Sequence, residues 1–311
     1  MGYKLAGFDH LGGVEIDPKV AEVYKLNHNP KHLYIEDIRQ FNKRKDLPDE
    51  LFDLDLLDGS PPCSSFSMAG NRDKDWGKKK KFREGQEFQR LDDLVFVYIE
   101  TIKKLRPKVA LLENVKGLIQ GNAKAYVKKM NEALKMAGYK VQLFLLNAAS
   151  MGVPQKRERV FFICQREDMG FDKLALKFEE RAILFGEVRD VGEHNAPWTN
   201  LDRKCWENKI HDDKDYSNVL MRIGEGQKNW NAKFIYDNEV CNTIASASGS
   251  RLVSFTEPKR LSNNELKKCG SYPIDYNFGD MDVKYLIGMS VPPVMTAQIA
   301  HQIYLQWLSK V

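Results

Sequence analysis

The chain has 311 residues, of which 42% are hydrophobic and 29% charged, enough for two ordinary domains of about 150 residues each. This composition argues against global disorder, and no apolar run reaches the roughly 18 residues that suggest a membrane helix. The net charge of +5 permits a polyanionic partner without requiring one. The five cysteines form no CxxC pair, which argues against a disulfide framework or a zinc site. We therefore expect a cytoplasmic protein with no metal and no membrane association.

Strand-like and helix-like segments alternate through the first half of the chain. Asp17-Pro18 is an N-cap followed by proline at the first helical position, and Asn29-Pro30 ends the helix that begins there. We predict strands at 14–16, 33–35, 51–57, 109–112, 141–146 and 160–164, with further helices at 94–105 and 126–137. This alternation indicates an α/β fold with a Rossmann-like, doubly wound and largely parallel sheet, which we assign to a first domain at 1–166.

The second half has a different character. Residues 167–258 are irregular and polar and show no helix with a convincing apolar stripe, so we predict a second, smaller domain there. A capping box at Ser262 and Glu265 opens a short helix that ends at Gly270. A last helix follows Pro293, and its apolar face predicts that the segment 259–311 returns to the first domain.

Polar residues recur where the predicted strands end. Glu15, Asp37, Cys63 and Glu113 each follow an apolar strand, which in a parallel sheet places them at one edge, where ligands of such sheets bind. Glu15 fits the acidic residue that holds a ribose in nucleotide-binding folds. The glycine-rich loop expected about 20 residues earlier is absent from the chain.

Two of these strand-end residues suggest covalent and acid–base chemistry. Cys63 follows two prolines on a stiff loop with basic residues nearby, which favours a reactive thiolate, whereas an arbitrary cysteine is more often buried and structural. Glu113 ends the most hydrophobic strand, so we expect partial desolvation to raise its pKa and let it donate a proton near neutral pH. Without context, a surface glutamate that caps the next element is the better explanation of Glu113.

A third candidate cluster precedes the last strand of the first domain. Strand alternation places Gln155, Arg157 and Arg159 on one side, where their donors suit a base edge or phosphates. An ordinary charged edge strand is an equally good interpretation of these residues taken alone.

Together these segments, in this order, resemble the DNA cytosine-5 methyltransferases. The similarity lies in the Pro-Pro-Cys63 loop, Glu113-Asn114-Val115, 152–159, 260–265 and 288–293, which look like the family's fourth, sixth, eighth, ninth and tenth motifs. The resemblance implies that domain 1–166 is a class I S-adenosylmethionine-dependent methyltransferase domain and that 167–258 recognises the target. It also implies double-stranded DNA as substrate, a flipped cytosine, and a cognate restriction endonuclease or complementing subunit as a further partner.

The resemblance also implies roles for individual residues. Cys63 would add to carbon 6 of cytosine while Glu113 protonates ring nitrogen 3 and Arg159 holds the carbonyl oxygen, with Asn114, Gln155 and Arg157 supporting the base pocket. The stretch 64–90 resembles the loop that closes over the base. For S-adenosylmethionine, the implied contacts are Glu15 to the ribose, Ile16, Asp37 and Ile38 near the adenine, and Pro62, Leu94 and Ser290 as further lining.

Two departures from the family pattern lie on the cofactor side. The family's first motif, an Asp-Leu-Phe-x-Gly-x-Gly loop, is absent, and Met289 stands where the tenth motif usually has asparagine. Three alternatives follow: a late start codon, a truncated prophage or restriction gene that yields a catalytically weak DNA-binding remnant, or one half of a split enzyme. A transfer RNA methyltransferase is a further alternative, which the partial match at Cys241-Asn242-Thr243 supports only weakly.

Overall fold

The computed structural model describes residues 1–62, 94–120, 123–191, 198–229 and 231–311. The strands of the first half are β1 (Gly12–Glu15), β2 (His32–Ile35), β3 (Leu56–Gly59), β4 (Val109–Val115), β5 (Tyr139–Asn147) and β6 (Glu158–Arg166). β1 pairs with β2 in parallel, and a four-stranded sheet has the order β3-β4-β6-β5. β3 and β4 are parallel, whereas β6 runs antiparallel to both of its neighbours. The prediction of an α/β fold with a parallel-rich sheet is confirmed.

Helices cover both faces of this sheet. They are α1 (Gly2–Leu5), α2 (Pro18–His28), α3 (Ile38–Phe41), α4 (Leu94–Leu105), α5 (Lys124–Met136) and, from the end of the chain, α11 (Pro293–Gln306). α4 and α5 bury one face of β4 and β6 in a core around Ile102 and Met130. α11 covers the other face through Met295, Ile299 and Ile303. The C-terminal helix thus packs against the first domain, although the domain boundaries themselves remain a prediction.

Local signals explain most of these helix ends. The Asp17 carboxylate accepts a hydrogen bond from the Lys19 N–H at 2.9 Å at the start of α2, and Asn29 ends that helix in the left-handed conformation with φ 43°. The α1 helix packs closely on α11, because a Cβ atom at Gly2 would lie 2.5 Å from the carbonyl oxygen of Pro293. Glycine at this position therefore permits the contact between the two helices.

The prediction of one strand at 51–57 was wrong in its extent. A short 3-10 helix occupies Asp49–Phe52, and β3 begins only at Leu56. Leu51 is buried in an apolar cluster and Phe52 is 45% exposed, and both residues belong to this helical turn rather than to a strand.

The second half contains more regular structure than predicted. It comprises α6 (Phe185–Val188), α7 (Asn200–Glu207), α8 (Tyr216–Arg222), β7 (Ala232–Ile235), β8 (Arg251–Ser254), α9 (Asn263–Cys269) and α10 (Val283–Met289). The expectation of no convincing helix was wrong for α7 and α8. Asp202 on α7 is fully buried and accepts a hydrogen bond from the hydroxyl of Tyr216 at 2.8 Å, so a charged residue occupies the inner face and hides the apolar stripe. The predicted helix after Ser262 is confirmed, including its capping box.

The sheet of the first half is divided. Among the described residues β1 pairs only with β2, and β3 pairs only with β4, so the two sheets are not hydrogen-bonded to each other. Nevertheless Val14 on β1 and Leu57 on β3 pack on one apolar cluster that includes Phe41 and Leu105. A cleft therefore separates two sheets that share a core. No helix in the described part of the chain is long and apolar enough to cross a membrane.

Candidate active site

A cavity of about 1990 Å³ opens at the carboxyl ends of β1, β3 and β4. It is the place where an open α/β sheet binds its ligands. Most of the residues predicted for the site line this one cavity: Glu15, Ile16, Asp37, Ile38, Pro62, Leu94, Glu113, Asn114, Arg157, Arg159 and Ser290. Cys63 and the segment 64–90 lie outside the described residues. The strand-end pattern in the sequence therefore leads to one location in the fold.

One charged pair in the cavity wall joins β4 to β6. The Nε atom of Arg159 lies 2.9 Å from Oε1 of Glu113, and both side chains are largely buried. Burial lowers the pKa of Arg159, and the carboxylate of Glu113 opposes that shift.

Asn114 connects the end of β4 to the loop that leads to Cys63. Its side-chain Nδ2 donates to the carbonyl oxygen of Pro61 at 3.2 Å, and its Oδ1 accepts from the N–H of Val115 at 2.9 Å. The residue is 4% exposed. Asn114 thus fixes the position of Pro61 and Pro62 at the edge of the cavity, next to the predicted nucleophile.

Arg157 and Gln155 direct their polar atoms to main-chain groups. Arg157 is 1% exposed and donates to the carbonyl oxygens of Ile244 at 2.9 Å, Gly288 at 2.7 Å and Ser290 at 2.8 Å. Burial lowers its pKa to about 9, which leaves the guanidinium charged at neutral pH. Gln155 donates to the carbonyl oxygen of Cys269 at 3.2 Å and accepts from the N–H of Ile244 at 3.1 Å.

These contacts join three distant parts of the chain in the wall of the cavity. Arg157 precedes β6, Ile244 belongs to the predicted recognition domain, and 288–290 follows from the C-terminal segment. The prediction that Gln155 and Arg157 support the base pocket is compatible with this arrangement and stays a prediction. Of the predicted site residues, Gln155 lies behind the cavity wall rather than on it.

The acidic residues of the opposite side are held by backbone amides. The Oε1 atom of Glu15 accepts from the N–H of Asp17 at 2.8 Å, and Asp37 caps α3 by accepting from the N–H of Arg39 at 2.7 Å. The Arg39 guanidinium also pairs with Asp37 at 3.1 Å. Each carboxylate is therefore oriented at the cavity rim, next to the apolar side chain of Ile38.

Sequence reasoning missed two polar residues of the site. Asp58 is the third of the four residues of β3 and shares a hydrogen bond with Tyr3; desolvation raises its pKa, while the terminal amine and the Tyr3 hydroxyl oppose the shift. Asp58 was detectable by the strand-end rule that identified Glu15. Tyr272 is hydrogen-bonded to Ser290, and burial raises its pKa, but no local sequence signal marked it. The described residues contain no cluster of three His, Cys, Asp or Glu side chains suited to a metal ion.

The fold is that of known methyltransferases. A candidate DNA modification methyltransferase from an E. coli prophage superimposes with a TM-score of 0.70 at 18% identity, covering 98% of this chain and 94% of that one. A DNMT2 variant from Spodoptera frugiperda gives a TM-score of 0.63 at 16% identity, with 97% and 95% covered. These likenesses establish the architecture in which the cavity lies.

Sequence comparison shows the family to which this chain belongs. The model of the C-5 cytosine-specific DNA methylases matches residues 1–305, and the chain belongs to this family, as the motif resemblance predicted. Orphan methyltransferase M.SPRI of Bacillus phage SPR is 36% identical over 206 residues, and type II methyltransferase M.FnuDI of Fusobacterium nucleatum is 32% identical over 231. The matches cover 64% and 71% of this chain, but only 42% and 62% of those relatives. Type II methyltransferase M.Bsp6I of Bacillus sp. is 28% identical, with 98% and 94% covered.

Proposed function

We propose that this protein transfers a methyl group to carbon 5 of cytosine in double-stranded DNA. The observation that carries the proposal is the buried Glu113–Arg159 pair at the wall of a cavity that also contains Asn114 and the strand-end acids. Family membership supports the reaction type, and the relatives named as phage and type II methyltransferases support DNA as the substrate.

The proposed chemistry begins with the base. Carbon 5 of cytosine is a weak nucleophile, so the thiolate of Cys63 adds to carbon 6 while Glu113 delivers a proton to ring nitrogen 3. In this proposal Arg159 holds both the Glu113 carboxyl, 2.9 Å away, and the carbonyl oxygen of the base. After methylation, a water molecule accepts the carbon 5 proton, the Cys63 thiolate leaves carbon 6, and ring nitrogen 3 returns its proton to Glu113, which restores the aromatic ring and the acid. The base must leave the duplex for these groups to reach it.

The other end of the cavity has the chemistry expected for an adenosyl group. Carboxylate oxygens of Glu15 and Asp37 accept hydrogen bonds, which ribose hydroxyls and an adenine amino group donate, and the apolar side chains of Ile38 and Leu94 suit the purine ring. The residues present therefore fit S-adenosylmethionine, with Ile16, Pro62 and Ser290 as further wall. S-adenosylmethionine supplies an electrophilic methyl group when it is bound.

The proposed recognition domain reaches the same cavity. Residues 243–247, within the segment 167–258, line it opposite the strand-end acids. Arg157 holds the carbonyl of Ile244 in this position. On that basis we assign target recognition to 167–258 and methyl transfer to 1–166. The segment 259–311 supplies α11, which packs on the first domain.

The decisive experiment measures transfer of labelled methyl groups from S-adenosylmethionine to mixed-sequence DNA. We expect label on carbon 5 of cytosine, loss of transfer in Cys63→Ser, and salt-sensitive DNA binding that persists in that variant. Cys205→Ser, which changes a buried thiol of the recognition domain, is the matched control and should retain transfer. A folded Cys63→Ser protein that loses both activities would contradict the role assigned to this cysteine.

A second candidate function, a catalytically weak DNA-binding protein, is favoured by one observation. The β1–β2 pair, which carries Glu15, is not joined by strand pairing to the rest of the described sheet. Equilibrium binding of S-adenosylmethionine separates the two candidates. Saturable binding supports the enzyme, whereas DNA binding without cofactor binding supports the alternative.

A further inference from the structure

We propose that Lys284 is a positioning residue for the selection of DNA sites, because it holds one loop of the recognition domain in a fixed shape. The loop comprises residues 245–250, and we call it the clamped loop. Lys284 belongs to α10 (Val283–Met289), in the C-terminal segment. The inference rests on the proposed function and adds to it a residue that determines specificity without touching the reacting atoms.

The Lys284 ammonium lies where three carbonyl groups of the clamped loop converge. Its Nζ atom donates to the carbonyl oxygens of Ala247 at 2.7 Å, Ser250 at 2.9 Å and Ala245 at 3.4 Å. An ammonium has three N–H donors, so these contacts use all of them. In the described part of the chain this side chain has no further hydrogen-bond partner, and its charge therefore serves the loop rather than a salt bridge.

The clamped loop has little else to fix its shape. Its sequence is Ala-Ser-Ala-Ser-Gly-Ser, and no apolar cluster among the described residues includes these side chains, whereas Ile244 before it and Leu252 after it are buried in one. Inside the loop, the N–H of Ser250 donates to the carbonyl oxygen of Ala247 at 3.0 Å and closes one turn. Small side chains without core contacts leave the conformation to main-chain hydrogen bonds, and Lys284 supplies three of them.

The helix α10 approaches the main chain of the clamped loop closely. Lys284 and Gly288 lie four residues apart, so they share one face of this helix. A Cβ atom at Gly288 would lie 2.3 Å from the backbone nitrogen of Ser246, and glycine at this position therefore permits the contact. The helix thus meets the loop with a position that has no side chain and, one turn earlier, with a long side chain that reaches the carbonyl groups.

The clamped loop lies at the cavity and directs a donor away from Lys284. Residues 245–247 line the cavity, and residues 247–249 are exposed. In a trans peptide the N–H is opposite to the preceding carbonyl group, so the carbonyl of Ala247, which faces Lys284, turns the N–H of Ser248 outward. This N–H has no acceptor among the described residues. A main-chain donor beside small hydroxyl side chains suits the base edges and phosphates of DNA.

Loss of the ammonium should change the binding of DNA rather than the chemistry. Water replaces the three donors at this partly exposed position, but the loop is then mobile and must be ordered each time DNA binds. Cys63 and Glu113, the proposed reacting groups, belong to other segments of the chain. We therefore expect Lys284→Met to raise KM for DNA and to keep kcat, which is the pattern of lost uniform binding.

The test compares Lys284→Met with Lys104→Met in assays with labelled S-adenosylmethionine and mixed-sequence DNA. Lys104 is the matched control, because its Nζ atom also donates to three main-chain carbonyl oxygens, but at the end of α3. Lys284→Met should raise KM for DNA about tenfold and keep kcat within about twofold. Bisulfite sequencing should show about tenfold more methylation outside the wild-type site, whereas Lys104→Met should keep the wild-type KM for DNA and site distribution. Lys284→Arg keeps the charge and several donors and should lie closer to wild type than Lys284→Met.

Amide hydrogen exchange tests the clamped loop without methyl transfer. In free Lys284→Met the N–H of Ser250 should exchange about tenfold faster than in the wild type, because the turn that it closes is released. In the unmodified chain, bound DNA should slow exchange in 246–249, and this measurement holds even if Lys284→Met does not fold.

Three results would overturn the inference while the proposed function stands. They are a folded Lys284→Met protein with the wild-type KM for DNA and site distribution, the same changes in both lysine variants, and bound DNA that leaves exchange in 246–249 unaltered. An unmodified chain that neither methylates nor binds DNA would instead contradict the proposed function itself, so the two failures are distinguishable.

Discussion

Arg159 and Glu113 form an ion pair of 2.9 Å at the ends of two antiparallel strands, and both side chains remain largely buried in the cavity wall. The two residues lie 46 positions apart in the sequence, and the pairing of β4 with β6 brings them together. The contact places a carboxylate and a multi-donor cation on the same small area of the cavity wall, which is the arrangement that the proposed base pocket needs.

The first prediction concerns this pair. Glu113→Gln removes the exchangeable proton but keeps the size of the side chain, so methyl transfer should fall by about 10²- to 10⁴-fold, the range of a lost general acid. DNA binding should remain within about threefold, because the carboxyl acts on the flipped base and not on phosphates. Single-turnover transfer assays measure the loss, and filter binding measures the affinity.

Two controls accompany Glu113→Gln. Glu132→Gln changes an exposed carboxylate that is 3.9 Å from Lys128, and it should leave transfer unchanged. Arg159→Lys keeps the charge but loses the planar donor array, so it should lower transfer as well. A Glu113→Gln protein with normal turnover would remove Glu113 from the mechanism.

The second prediction concerns Arg157. Arg157→Met would leave the carbonyl oxygens of Ile244, Gly288 and Ser290 without their buried donor, and we expect a loss of about 2–5 kcal/mol in the free energy of unfolding. Chemical denaturation measures this loss. Arg181→Met is the matched control, because Arg181 is exposed and its pair with Glu187 is a surface contact; its unfolding midpoint should stay at the wild-type value.

The sequence predicted features that depend on residues close together in the chain and missed features that depend on residues far apart in it. The ends of α2 and α9 were predictable because their caps, Asp17 and Ser262, lie within three residues of the groups they bond. The strand-end acids were predictable because the carboxyl edge of a sheet follows from strand order. By contrast, the contacts of Arg157 depend on segments 87 and more residues away, and nothing in its neighbourhood shows that they meet.

The same distinction explains the error in the second half. The inner face of α7 contains Asp202, whose charge is compensated by Arg260, 58 residues further along the chain. In the sequence alone Asp202 looks like a surface residue, because its partner is far away in the chain. The sequence of α7 therefore shows no regular apolar periodicity.

The third prediction is a pH dependence of stability from His28. Its ring lies between Tyr24 and Tyr276, with centroid distances of 5.3 and 5.8 Å, and its Nδ1 has no hydrogen-bond partner among the described residues. Burial, followed by repulsion from the terminal amine, His10 and Lys4, lowers the pKa of His28 to about 4. The folded protein therefore holds this imidazole neutral at pH values where the unfolded chain protonates it.

The sign follows from proton uptake. Between about pH 6.5 and pH 4 the unfolded state binds more protons at His28, so stability is complete above pH 6.5 and falls as the pH decreases through this window. We expect a loss on the order of 1–2 kcal/mol, because solvent reaches part of the site. Urea unfolding at pH 7 and pH 4.5 measures it. His28→Gln should flatten this part of the profile, whereas His301→Gln, an exposed histidine, should leave it as in the wild type.

The fourth prediction concerns Gly288, which lies against the backbone of residues 245 and 246 in the cavity wall. A Cβ atom at Gly288 would lie 2.7 Å from the carbonyl carbon of Ala245, a backbone atom that cannot turn aside. Arg157 holds the carbonyl oxygens of Gly288 and Ile244 with one guanidinium, so Gly288→Ala must push apart two segments that this side chain draws together. We expect kcat/KM for methyl transfer to fall about 10- to 100-fold, the effect of displacing positioning groups by a fraction of an ångström to one ångström.

Gly249→Ala is the control, because a Cβ atom there has no neighbour within 4 Å, and it should behave as the wild type. If the two alanine variants have equal activity, the close approach of 288 to 245 does not matter for the site. If Gly288→Ala loses activity but keeps its unfolding midpoint, the contact acts by positioning the cavity wall rather than by stabilising the fold.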